Sequence, residues 1–266
     1  PVQAGGRMSM KEINVIGTMQ LLAACQKSPS VRKLVVKSST SIYGAGPKDP
    51  AMFTEEMEPK HTPGSGRAKD SVEVEGYVRG FARRRPDVSV TTLRFANFLG
   101  PRVDTPMSSY FELPIIPTLL GHDARLQFIH EDDGLEAMRQ ATVDEHPGMF
   151  NVAGDGIILL TQAARRAGRP TMLLPAASAG FVGAVIRRLG LADFSPEQVR
   201  FLTYGRGVDT TRMRDVFGFV PQHTTPETFD AFGRARRRNR MLPPERVEAV
   251  EDQLVSLLTG RGAVNG

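Results

Sequence analysis

Two short runs rich in β-branched residues, separated by one long amphipathic stretch, limit what this 266-residue chain can fold into. Residues 31–37 (VRKLVVK) and 88–94 (VSVTTLR) have the composition of buried strands. Residues 67–85 between them repeat apolar side chains at helical spacing, and Pro86 ends the pattern. A strand, a helix and a strand in this order predict a parallel βαβ unit with a right-handed crossover.

An opening helix is predicted over residues 11–26, with Ile16, Met19, Leu22 and Ala23 on its apolar face. Beyond residue 100 the periodicity changes from strand-like to mainly helical. The candidate strands are 126–130 and 149–153, and the candidate helices are 132–143, 161–167, 181–189, 195–204, 225–240 and 243–258.

Polar side chains follow both predicted strands of the βαβ unit. The run 38–41 (SSTS) comes directly after the first strand, and Asn97 follows the second. Open α/β sheets carry their chemistry at the carboxyl ends of the strands, so a site is predicted at this edge. The residues alone leave another reading open, in which Ser39 caps the strand and Asn97 forms a turn.

Charge content bears on the ligands of this chain, and cysteine content bears on its cellular compartment. Lys and Arg number 34 against 29 Asp and Glu, a net charge of +5, which permits attraction to phosphorylated metabolites. The single Cys25 closes no intrachain disulfide, so a cytoplasmic location is predicted. The arginine-rich runs 83–85 and 234–240 lack interleaved aromatics, and we interpret them as solvated helix ends, not as a nucleic-acid surface.

Two features of the sequence bear on special functions. The uncharged stretch 170–186 is considered as a membrane span, and the histidines are considered as metal ligands. Residues 170–186 contain Pro175 and fall short of the roughly 18 apolar residues that a spanning helix needs, so no membrane span is predicted. The five histidines show no paired ligand spacing, and no metal is predicted. Glu131, Asp132 and Asp133 are interpreted as first-turn residues that complement a helix dipole.

Four segments in order carry a family resemblance: Asn14-x-x-Gly17-Thr18, residues 38–44 (SSTSIYG), residues 93–97 (LRFAN) before Gly100-Pro101, and residues 128–130 (FIH) before Asp133. Together they resemble the NAD-dependent epimerase/dehydratase family of extended short-chain dehydrogenases/reductases, in its divergent actinobacterial form. The likeness covers residues 11–156, with an echo at 209–212.

The resemblance implies an α/β fold. The expected architecture is the C-terminal part of a doubly wound, Rossmann-like parallel sheet with a mostly helical C-terminal substrate subdomain. The implied sheet domain is 1–101, continued by 126–167, and the implied substrate subdomain is 102–125 with 168–266.

The resemblance also implies a chemistry. In that family a Tyr-x-x-x-Lys helix turn and a strand-end hydroxyl surround a nucleotide sugar, the lysine lowers the pKa of the tyrosine, and hydride passes to the nicotinamide. The implied cofactor is NAD, with NADP left open. The implied catalytic residues are Ser39, Lys69 and, at the tyrosine position, Ser65; Lys69, Ser38 and Asn14 would contact the cofactor, and Asn97 and Arg125 the substrate.

The chain departs from the family at the residue that acts as the catalytic base. Ser65 stands where the family has tyrosine, and a serine hydroxyl is far less acidic than a phenol and needs a neighbouring base. Two readings follow: an enzyme similar to UDP-glucose 4-epimerase, or a catalytically silent NAD(P)-binding or scaffold relative. Thr40 and Ser41 stand where the 4,6-dehydratases carry Asp-Glu, which disfavours a dehydratase.

A second departure concerns the Gly-x-x-Gly-x-x-Gly turn with which family members open. The 266 residues contain no such turn after a strand, so the strands that precede residues 31–37 in the family are expected to be absent. The strand at 31–37 would then present an apolar edge. We expect a partner chain or a homo-oligomer to cover that edge, and the chain alone to precipitate or form a large assembly.

Overall fold

The predicted strand, helix and strand are present in the computed structural model, which describes residues 11–58, 66–175 and 196–236. A short π-helix, Glu12–Ile16, continues into α1 (Gly17–Lys27). The chain then forms β1 (Lys33–Ser39), a 3-10 turn (Thr40–Tyr43), α2 (Gly66–Arg84) and β2 (Ser89–Phe95). β1 and β2 are parallel, with Lys33 opposite Ser89 and Ser39 opposite Phe95.

The elements after β2 are β3 (Asn97–Leu99), α3 (Pro106–Phe111), β4 (Ile116–Leu119), β5 (Arg125–Leu126), β6 (Phe128–His130), α4 (Glu131–Val143), β7 (Gly148–Val152), β8 (Ile158–Leu159), α5 (Leu160–Arg166), β9 (Thr171–Leu174), α6 (Pro196–Tyr204), α7 (Thr211–Asp215) and α8 (Thr225–Ala235). The main sheet has the order β1-β2-β7, with all three strands parallel. Two parallel pairs, β3 with β6 and β4 with β9, and one antiparallel pair, β5 with β8, complete the strands of the described ranges.

Helices cover the main sheet on both faces. Leu34 and Val36 of β1 pack with Leu22, Val78 and Phe81 of α1 and α2. The opposite face, with Val35, Leu93 and Phe150, packs against Ala137 and Ala141 of α4. This alternation is the pattern of a parallel sheet buried between two helical layers, and it confirms the predicted fold class.

The C-terminal part has an aromatic core of its own. The rings of Phe111 and Phe229 meet edge to face with centroids 4.9 Å apart, and Phe128 joins them from β6. The predicted helices 181–189 and 243–258 lie outside the described residues. In the parts of the chain that are described, none of the helices is long and apolar enough to cross a bilayer. The division into two domains stays a prediction.

The apolar face predicted for the opening helix is wrong in part. Leu22 is buried as predicted, but Ile16 and Met19 are 43% and 44% exposed, and Val15 is buried in their place. Val15 and Leu22 are seven residues apart, about two helical turns, so the buried stripe runs beside Ile16 and Met19 and leaves them toward solvent.

The acidic first turn of α4 does more than complement a dipole. Asp133 accepts the backbone N–H groups of Gln222 and His223, both at 3.0 Å. Glu131 accepts from Arg102 Nε at 2.8 Å. The C-terminal segment is therefore fastened to the sheet layer by a buried carboxylate.

β1 lies at an edge of the main sheet as far as the described residues go. Its Leu34, Val35 and Val36 are only half-buried, although two helical layers flank the sheet. An apolar strand with an open side can pair with another chain. The oligomer or partner chain expected there stays a prediction.

A buried ion pair joins β2 to α2. Arg94 donates from Nη2 to Glu75 Oε2 at 2.7 Å and from Nε to Glu75 Oε1 at 3.1 Å. The two side chains are 6% and 3% exposed. The forked contact satisfies both carboxylate oxygens, which makes burial of the two charges tolerable.

The same pair is linked to the end of β1 and to β7. Ser38 Oγ donates to Glu75 Oε1 at 2.5 Å, and Arg94 Nη1 donates to the hydroxyl of Tyr43 at 2.7 Å. Tyr43 in turn donates to Asn151 Oδ1 at 2.8 Å. One continuous hydrogen-bond network thus fixes the strand ends relative to α2.

We expect Glu75→Gln to lower the free energy of unfolding by about 3–5 kcal/mol, because it leaves the Arg94 guanidinium buried without its counter-charge. Urea unfolding checks this. The matched control is Glu73→Gln on the same helix, where the partner Lys11 is 3.8 Å away and half-exposed, so a loss under about 1 kcal/mol is expected. Equal effects of the two substitutions would contradict the role given to the buried pair.

Gly134→Ala in α4 is expected to destabilise the protein by about 1–3 kcal/mol, although alanine is the better helix former. A Cβ at Gly134 would lie 2.1 Å from Cε1 of Phe98. Gly76→Ala in α2 is the control: a Cβ there meets nothing within 4 Å, so a gain of about 0.5–1 kcal/mol is expected. Thermal unfolding of both variants measures the difference, and a stabilised Gly134→Ala would rule out the close approach.

Candidate functional site

The two serines that end β1 face opposite sides of the sheet, as successive strand residues do. Ser38 is buried, and its hydroxyl donates a hydrogen bond to the Glu75 carboxylate. Ser39 Oγ accepts the backbone N–H of Ser41 at 3.1 Å and caps the 3-10 turn. Its own hydroxyl hydrogen has no acceptor among the described residues. Ser39 is thus both a cap and a hydrogen-bond donor at the strand end.

Lys69 lies in the first turn of α2, and its side chain is exposed. Its neighbour Ala68 is buried, and Val72 packs against Ile42 and Tyr43 of the 3-10 turn. The structure therefore brings the first turn of α2 beside the end of β1 while the lysine side chain itself faces solvent. Ser65 lies outside the described residues. The roles given to both residues stay predictions.

Asn97 opens β3 immediately after Ala96, which packs with Ile42 and Tyr43. It is half-buried, and its side-chain amide makes no hydrogen bond within the described part of the chain. The amide is therefore open to a ligand at the same sheet edge as Ser39. Asn14 lies on the π-helix with an exposed side chain, and its carbonyl accepts the Thr18 hydroxyl at 2.5 Å. Within the described ranges, no hydrogen bond joins Asn14 to the strand ends.

Tyr43 is the phenol closest in sequence to Ser39, but its hydrogen bonds to Arg94 and Asn151 occupy its oxygen. Burial raises the pKa of Tyr43, although the Arg94 charge opposes the shift, so the phenol stays protonated at neutral pH. The other three tyrosines are elsewhere: Tyr77 is exposed on α2, Tyr110 donates to Pro117, and Tyr204 contacts the His122 ring. The described residues thus offer no unengaged phenol at this edge.

Arg206 is the functional candidate that the sequence reading missed. It is 9% exposed, donates from Nη1 to the Gly44 carbonyl at 2.7 Å, and lies 4.9 Å from the centroid of the Phe201 ring. Burial lowers its pKa to about 10. Among the described residues no carboxylate lies within ion-pair distance of it. A buried cation therefore faces the loop that leaves β1.

Two further arginines accompany Arg206. Its backbone N–H donates to the Arg125 carbonyl at 2.9 Å, and Arg200 donates from Nε to the Ala45 carbonyl at 3.0 Å. We call Arg125, Arg200 and Arg206 the arginine cluster. Arg125 joins this cluster through its backbone, whereas Arg200 and Arg206 bring their guanidinium groups to neighbouring carbonyls. Guanidinium groups are suited to phosphate oxygens, which accept their parallel N–H groups.

A glycine makes the cluster possible. Gly205 has φ of +74°, and a Cβ there would lie 2.3 Å from the Arg125 backbone nitrogen. Only glycine permits this approach and this conformation together. The Gly-Arg-Gly run at 205–207 is the signal in the sequence that could have identified Arg206.

The described residues fit NAD only in part. Ser39 offers an unused hydroxyl hydrogen beside the first turn of α2. A pyrophosphate is normally held by a Gly-rich turn between a strand and a helix, and the described ranges contain no such unit. Across the same ranges no group of three or more His, Cys, Asp or Glu side chains is arranged to hold a metal ion.

This chain is similar to several known proteins. The NAD dependent epimerase/dehydratase family matches residues 5–153. An uncharacterized protein of Mycobacterium tuberculosis is 44% identical over 263 residues, which cover 99% of this chain and 70% of that protein. UDP-glucose 4-epimerase of Mycolicibacterium smegmatis is 31% identical over 222 residues, which cover 79% of this chain and 64% of that enzyme.

The solved structures share the fold. UDP-glucuronic acid 4-epimerase from Bacillus cereus, in complex with UDP-glucuronic acid and NAD, superposes with a TM-score of 0.64 at 15% identity. The match covers 88% of this chain and 70% of that one. The family match extends over more than half of the chain, and the parallel sheet between two helical layers agrees with it. This chain belongs to the NAD-dependent epimerase/dehydratase family.

Proposed function

We propose that this protein, in its complete form, binds NAD and a nucleotide sugar, and that the arginine cluster holds the diphosphate of the nucleotide sugar. The observation that carries the proposal is Arg206, a buried guanidinium with no carboxylate partner among the described residues. The UDP-sugar epimerases among its relatives and structural neighbours support the substrate class.

The electrostatics favour an anion at this place. A buried charge without a counter-ion is unfavourable, and the Gly44 carbonyl, the Phe201 ring and the charge of Asp49, which lies beyond ion-pair distance, compensate Arg206 only in part. A diphosphate brings two negative charges to the guanidinium groups of Arg206 and Arg200. The sugar would then lie toward the strand ends, where Ser39 and Asn97 have unused hydrogen-bonding groups.

Catalysis is a separate question from binding. Epimerisation needs a base for a sugar hydroxyl, and an unperturbed tyrosine with a pKa near 10 already needs help at neutral pH. Tyr43 is held by two hydrogen bonds, and Ser65 stands at the family tyrosine position. These observations favour a second candidate function, a nucleotide-sugar binder that does not turn over its ligand.

Arg206→Gln is expected to weaken UDP-glucose binding by the full-length protein roughly ten- to a hundredfold, the usual range for losing a hydrogen bond to a charged group. Glutamine keeps a donor for the Gly44 carbonyl, so the loop should remain in place. Isothermal titration calorimetry measures the affinity. Arg139→Gln is the control, because Arg139 is exposed on α4 and pairs with Glu136. Unchanged affinity of Arg206→Gln would refute the diphosphate assignment.

Ser65→Tyr is expected to raise conversion of UDP-galactose to UDP-glucose in the presence of NAD, because it restores a phenol one helical turn before Lys69. The double variant Ser65→Tyr/Lys69→Gln should lose the gain, since the ammonium that lowers the phenol pKa is gone. Turnover is followed by chromatography of the nucleotide sugars. Fast conversion by the unmodified protein would exclude the silent binder, and no gain in Ser65→Tyr would exclude the site assignment.

A further inference from the structure

A small cavity that opens to solvent lies between the C-terminal ends of α3, α5 and α8. Phe111 and Phe232 form apolar walls, and Arg169, Glu112 and Arg236 supply charged groups. None of these residues belongs to the arginine cluster or to the strand-end site.

Arg169 is the unusual member of this cavity. Its side chain is attached just after α5, and the residue is 5% exposed. Its Nε is shielded from solvent and has no hydrogen-bond partner. Within the described residues no ion pair or hydrogen bond engages the guanidinium at all. Nearly all buried polar groups in proteins have a partner, so an arginine left this way indicates a missing ligand.

The neighbouring charged side chains do not supply the partner that Arg169 lacks. Arg236 Nε lies 3.2 Å from Glu112 Oε1, close enough for an ion pair, yet neither atom makes a hydrogen bond. Arg236 also pairs with the exposed Asp104 on its outer side. Arg236 thus has two carboxylates within ion-pair distance, whereas Arg169 has none among the described residues. Burial lowers the pKa of Arg169, and the Glu112 charge opposes that shift.

We propose that this cavity binds a phosphate group, which accepts hydrogen bonds from the Arg169 guanidinium and compensates its charge. Phosphate oxygens match the planar donor fork of arginine, and the two phenyl walls limit water and so strengthen the attraction. The site goes beyond the proposed nucleotide-sugar function, because it uses other residues on other elements.

Inorganic phosphate is the first probe, and glycerol 3-phosphate the second. The unfolding temperature of the full-length protein should rise with phosphate concentration and saturate. Arg169→Met should weaken the apparent affinity at least tenfold, whereas Arg166→Met, which removes the same charge from α5, should leave it unchanged. Saturation by phosphate alone identifies a free ion as the ligand, and tighter binding of glycerol 3-phosphate identifies a phosphorylated metabolite.

If Arg169 had only a structural role, Arg169→Met would destabilise the protein. The proposal predicts the opposite: without phosphate, Arg169→Met should be at least as stable as the parent protein, because an apolar side chain replaces an uncompensated buried charge. Glu112→Gln should tighten phosphate binding by removing a repelling carboxylate. The proposal fails if phosphate stabilises Arg169→Met as much as the parent protein, if the parent shows no saturable response, or if Glu112→Gln weakens the response. UDP-glucose affinity should be unchanged in Arg169→Met, which separates this test from that of the proposed function.

Discussion

The buried pair of Arg94 and Glu75 is the interaction on which the arrangement of the site depends. It connects the central strand β2 to α2, and through Ser38 and Tyr43 it reaches the exit of β1. Neither charge can be released into an apolar core without its partner, so the three elements keep one relative position. The strand-end hydroxyl of Ser39 and the first turn of α2 are held beside each other for that reason.

Buried arginines in this protein fall into two kinds. Arg94 has both carboxylate oxygens of Glu75, the Tyr43 hydroxyl and a carbonyl as partners, and its charge is spent on the fold. Arg206 and Arg169 are as deeply buried, but neither meets a carboxylate in an ion pair within the described residues. The difference in pairing, not in burial, separates a structural arginine from one that is available to an anion.

Local patterns were sufficient for much of the fold. The strand at 31–37, the helix ended by Pro86 and the strand at 88–94 were predictable because β-branched runs, helical spacing and breakers act over a few residues. The buried face of the opening helix was not, because apolar residues lie on both sides of Val15 and Leu22, and tertiary contacts decide which of them are buried. The pairing of Glu75 with Arg94 was also invisible, since it joins side chains 19 residues apart across two elements.

The sequence by itself determined the parallel βαβ unit, the family and the sheet edge where polar groups gather, because each follows from short motifs in a fixed order. Only the tertiary structure decided what those polar groups do: Ser38 turns inward to Glu75, Tyr43 is fully engaged, and Arg206, from a segment more than 160 residues later, reaches the Gly44 carbonyl. The role of a buried charged side chain depends on its hydrogen-bond and ion-pair partners, and those partners come from distant parts of the chain.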